Sequence, residues 1–191
     1  VLGFWLLTRK DRSSLQLSTL PNYLKLIAMG GGIASIAGAV LGSMSLLFAG
    51  IISASDYFEN ALHWWMGDVL GVVLLTPFVL AWGQPITSQV TDKQLLEKLL
   101  LISMTFITGQ IMFLGWFQEW LSDTPKGYFS FLFVSWVSIR LGTRGTTVVI
   151  LLIAAQAIVG AYREVGFFAH DIARADLANY WAYMLILSLV G

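Results

Sequence analysis

The stretch from His63 to Trp82 reads HWWMGDVLGVVLLTPFVLAW and sets a carboxylic acid inside an apolar run. At helical spacing Trp64, Asp68, Gly71 and Leu75 share one face, while Gly67 and Gly71 form a small-xxx-small pair. An ionised carboxylate at the centre of a bilayer costs about 2.5–3.5 kcal/mol on insertion scales, so Asp68 is expected to face a bundle interior or a wet cavity. Pro77 lacks a backbone donor and is expected to kink the helix nine residues beyond Asp68. The Trp64–Trp65 pair reads as a marker of the outer membrane interface. An acid, a close-approach glycine pair and a kink on one helix describe a ligand site or a switch. They equally describe an Asp that bonds a neighbouring backbone or caps a broken helix.

Other polar groups suggest weaker chemistry. Gln110 and Gln156 each fall near the midpoint of an apolar segment, where they would share a depth and bond across helices. Such bonds average only about 0.6 kcal/mol in a bilayer, which favours glue over a ligand pair. Arg140 and Arg144 bracket Gly142 and are expected to meet lipid headgroups or to cap a tight turn, with an acidic partner as the alternative. Asp56, Glu59 and His63 follow an i, i+3, i+7 spacing, and His170 with Asp171 falls on the same expected side; a solvated face is a better reading than a metal site. No phosphate-cradling loop, Ser–His–Asp arrangement or zinc helix is present, so no catalytic centre, metal or cofactor is expected.

The elements that must hold these residues are membrane helices. Of 191 residues 57% are apolar and only 12% charged, about half the usual share, which leaves too little polar surface for a soluble domain. Eleven basic residues balance eleven acidic ones, so nothing suggests a nucleic-acid partner. With no cysteine, disulfides, thiolate metal sites and Cys nucleophiles are excluded. The expected class is an all-α, polytopic transmembrane bundle.

Gaps between charges place six spans near 26–50, 61–82, 98–117, 127–141, 146–162 and 177–191, with a partial one at the start. The apolar opening Val1–Thr8 runs into Arg9, Lys10 and Arg12, and an apolar run closes at Gly191, so both ends read as cut beside membrane segments. Alternate loops hold eight basic residues on one side and three on the other, which orients the first loop and the C-terminus to the cytoplasm. In the first full span Gly30, Ala34, Gly38 and Gly42 form one stripe, and Gly31, Ser35, Ala39 and Ser43 the next. Small residues at this spacing let helix backbones approach, so this helix is expected at the bundle centre.

The element carrying Trp64, Trp65, Gly67, Asp68, Gly71 and Pro77 resembles the first type of membrane-associated sensor (MASE) domain. The pattern SWVSIRLGTRGTTVVILLIAAQAIVGA adds Trp136, Arg140, Gly142, Arg144, Gly145 and Gly160, and VLGFWLLTRK and LPNYLKLIAMGGG resemble the family's middle portion. The 191 residues include neither the family's N-terminal Trp- and Pro-containing motif nor a kinase or cyclase module. The resemblance therefore implies the later part of a bacterial inner-membrane sensor domain, not itself an enzyme. Its output would be a cytoplasmic module: a histidine kinase, a diguanylate cyclase or a cyclic-di-GMP phosphodiesterase. The expected partners are the lipid bilayer, that output module, and a membrane partner protein or a second copy. Two other readings stay open: a solute carrier or channel lined by Asp68, Gln110 and Gln156, and a docking platform for a membrane protein.

Overall fold

A computed structural model describes residues 20–85, 91–116, 126–169 and 178–191. Arg9, Lys10, Arg12, His170, Asp171 and the first residue of the expected span 177–191 lie outside those ranges. All elements among the described residues are helical. They divide into two compact units at Pro77.

In the first unit α1 (Leu20–Lys25) runs into a π-helix (Leu26–Ile33) and then α2 (Ala34–Phe48). Gly50, at φ 69°, ends α2: its N–H reaches Leu47 O and that of Ile51 reaches Leu46 O, both at 3.0 Å. This glycine-dependent stop satisfies two terminal carbonyls. The chain then returns as α3 (Tyr57–Trp82), which enters after Asp56, whose carbonyl accepts the Asn60 N–H at 3.0 Å. Tyr57 Oη donates to Val40 O near one end of this hairpin and Tyr23 Oη to Val73 O near the other, so the two arms run antiparallel.

The second unit contains the end of α3 from Phe78 on, α4 (Asp92–Phe113), α5 (Phe129–Tyr162) and α6 (Ala178–Val190). Thr91 opens α4, its N–H donating to Gln94 Oε1 at 3.1 Å, and Asp92 favours the helix N-terminus. As one straight rod the 34 residues of α5 would be about 51 Å long, well beyond a bilayer core of about 30 Å. The rod is not straight. Gly142 has φ 62° and ψ −171°, a conformation open essentially to glycine alone.

Neighbours show that the chain reverses there. Ser130 bonds Tyr183 and Ser138 Oγ donates to Gly191 O, so limb 129–141 runs parallel to α6. Tyr180 Oη donates to Ala154 O, while Gly191 abuts Thr146 and Ile150, so limb 143–162 runs antiparallel to α6. Gly145 stands against Leu141 with no room for a Cβ, which permits the tight reversal. The result is four rods of alternating direction around Val134, Val137, Val149, Ile153, Met184 and Leu187, closed at one end by Phe113, Phe168, Tyr180 and Tyr183.

Among the described residues four helices qualify as spans by length and hydropathy: Pro21–Phe48, Tyr57–Trp82, Asp92–Phe113 and Phe129–Tyr162. The expected count of six is not reached by this criterion. Segments 127–141 and 146–162 share one helical element, and the last is described from Ala178 as a helix of 13 residues. The charge gaps locate the apolar segments, but they do not reveal how many residues a turn removes from each.

Candidate functional site

The first unit shows how the Trp-Trp-x-Gly-Asp-x-x-Gly element is built. Leu26, Gly30, Gly31, Ser35, Ala39 and Ser43 are buried on the first arm, and Met66, Val69, Val73 and Pro77 on α3. Of the two small-residue stripes only the second, Gly31–Ser35–Ala39–Ser43, is buried throughout. A Cβ on Gly31 would sit 3.5 Å from Val69 Cγ1 and 3.7 Å from its Cα, so the glycine brings the arms into backbone contact.

Trp65 makes the most specific bond of the hairpin. Its Nε1–H donates to Gly32 O at 2.8 Å, inside the π-helix. A π-helix leaves its carbonyls poorly placed for their own helix, and stretches of it concentrate at functional positions. Three consecutive glycines, Gly30 to Gly32, lie in this winding, and the indole bonds the carbonyl of the last. The ring of Trp64 covers Gly42, where no Cβ would fit. The two tryptophans thus hold the hairpin arms together. The π-helix itself had a sequence signal, Gly30-Gly31-Gly32, that small-residue periodicity absorbed.

Asp68 also departs from expectation. Its face, with Trp64 and Leu75, points outward, and Asp68 is exposed. The buried stripe is rotated one step, through Val69, which packs against Gly31 of the first arm, and the buried Val73. Asp68 Oδ2 lies 3.1 Å from where a Cβ on Gly38 would stand. A Cβ on Gly67 or Gly71 meets open space, so within the described residues that pair holds nothing close. Pro77 is buried within α3, and the helix continues through it to Trp82.

The second unit accounts for the Arg–Gly pattern. Arg144 Nε donates to Ala81 O at 2.9 Å, and its Nη2 reaches Gln84 O and Pro85 O. These are the last carbonyls of α3 and its exit, where a cation is favoured by the helix dipole. Arg140 pairs with Glu97, so its partner is an acid on α4. That pair is exposed and contributes little to stability. The Gly142 reversal therefore lies at the same end of this unit as the entry to α4, with its Lys93 and Lys98. Gly160 and Gly166 admit the Phe113 carbonyl, and Trp136 is half exposed.

Gln110 and Gln156 are both buried, yet no bond joins their side chains among the described residues. Gln156 Nε2 donates to Phe106 O at 3.0 Å, and its Oε1 is buried against Gly109 with no hydrogen-bond partner. The two amides share a depth, but Gly109 rather than Gln110 is the residue that faces Gln156. At the other polar cluster, Ser53 and Ser55 donate to the Asp56 carboxylate at 2.7 and 3.3 Å. The Ser53 hydroxyl is the main influence holding that carboxyl below its usual range. Among the described residues no three His, Asp or Glu side chains gather as a metal site.

These elements define a polytopic helical membrane domain with no gathered catalytic residues among those described. Its family is clear from the whole length: the MASE1 model matches residues 1–191, and the chain belongs to this family of membrane-associated sensor domains. No curated protein matches the chain, and no solved structure does.

Proposed function

We propose that the chain is the membrane-embedded input domain of a bacterial signalling protein that regulates a cytoplasmic output module such as a histidine kinase or diguanylate cyclase. The observation that carries this reading is the eight-residue π-helix held by Trp65. Winding of that kind has a neighbouring alternative. Return of the segment to α geometry by one residue rotates the chain before it by about 100°. A stimulus that binds one winding more tightly shifts the population, which is the requirement for coupling. Asp68 and Pro77 lie on the arm that would feel the rotation. In this reading the domain is multi-pass in the inner membrane. The two limbs of α5 and helix α6 each traverse it, and the C-terminus is cytoplasmic.

The test is Trp65→Phe in the full-length receptor, which keeps an aromatic ring and removes the donor. A lost hydrogen bond is worth about 1 kcal/mol, enough to move a two-state equilibrium about fivefold. Output is expected to change severalfold at unchanged membrane level. Unchanged output would count against the π-helix as the switch.

A further inference from the structure

The outer face of α3 presents an acid that no described residue satisfies. Asp68 stands 11 residues into a 26-residue helix, about 16 Å along an element about 39 Å long. Among the described residues it makes no hydrogen bond or ion pair. Around it the surface is low: Gly67 and Gly71 open onto empty space, and Gly38 lies under Oδ2. Trp64, its ring laid over Gly42, stays 44% exposed one turn before Asp68, and Leu75 is 53% exposed two turns beyond it. That relief fits a helix at close approach, which small residues permit.

The charge decides what the helix must bring. Acyl chains offer a carboxylate no donor, and intramembrane acids pair with other groups or line water. A second copy using the same face would set carboxylate against carboxylate. The described Lys and Arg of this chain stand near the ends of their helices or beside the Gly142 turn, and none of them bonds Asp68. We propose that the Trp64–Asp68–Gly71–Leu75 face receives a transmembrane helix of a partner protein that carries a lysine or arginine opposite Asp68. Such a helix would dock whether or not the π-helix switches, so its test reads contact and not output.

A photo-crosslinking benzoylphenylalanine replaces Leu75 in the full-length protein in native membranes, and adducts are sequenced. The expected adduct is a spanning helix of another protein with Lys or Arg within one turn of the crosslinked residue. Asp68→Lys should cut the yield more than about tenfold, since like charges at an interface repel strongly. Exchange of the partner's basic residue for Asp should restore it. Asp68→Asn, which keeps the shape, should lower the yield in the same direction at equal membrane level, separating lost pairing from failed insertion. Adducts on phospholipid alone, on a second copy, on the same polypeptide or on a helix without a basic residue would overturn the proposal. So would a yield indifferent to Asp68→Lys and Asp68→Asn.

Discussion

At Gly109 the absence of a side chain is what lets a polar one be buried. Gln156 Oε1 fills the space a Cβ would need, while its amide nitrogen holds Phe106 O. Gly109→Ala must push that amide away and is expected to cost about 1–3 kcal/mol, the usual range for overpacking. Gly67→Ala meets open space and gains helix propensity, so it should be neutral or stabilising by up to about 1 kcal/mol. Thermal melting of the two variants in detergent distinguishes them. A melting point for Gly109→Ala at or above wild type would remove the packing argument. Both amides are legible in the sequence as mid-membrane groups, but their azimuths are not. A depth is read by counting residues, whereas the facing partner depends on how one helix is rotated against another.

At the scale of elements, Gly142 decides the second unit. A 34-residue helical stretch becomes an antiparallel pair because one residue adopts φ 62°, ψ −171°. Gly142→Ala places a Cβ in that region and is expected to cost about 1–3 kcal/mol. The loss should appear as a lowered melting temperature in detergent, together with proteolysis at the turn. If Gly142→Ala melts with the wild type, the reversal does not depend on that conformation. The sequence shows a Gly between two arginines and hence a turn. It does not show that Arg144 leaves the turn to hold Ala81, Gln84 and Pro85, some 60 residues earlier. In the first unit the two small-residue stripes are equally good on periodicity. Val69 and Val73 on the opposing arm select one of them, and the π-helix shifts the phase between its two flanking helices.

For the whole molecule, the apolar excess and the alternation of basic loops carry the membrane reading and its orientation. A fluorescent protein fused after Gly191 is expected to be bright and a periplasmic phosphatase at the same site inactive; the opposite pattern would reverse the orientation proposed above. Membership of the sensor family was legible from Trp64, Trp65, Gly67, Asp68, Gly71 and Pro77, together with the Arg–Gly pattern, because a family pattern consists of residue types and their spacing. The contacts those residues make, such as Trp65 to Gly32 or Arg144 to Ala81, join positions far apart and were not legible.

Composition and charge spacing alone determine that this chain is helical, apolar and membrane-borne, since transfer into hydrocarbon depends on what the residues are and how many occur in a row. Which face of α3 is buried, which carbonyl the Trp65 indole bonds, and where Gly142 reverses the chain were decided only by tertiary structure. Those outcomes depend on pairs of residues far apart in the chain, and a one-residue change in winding or one glycine at positive φ rotates or reverses everything attached to it.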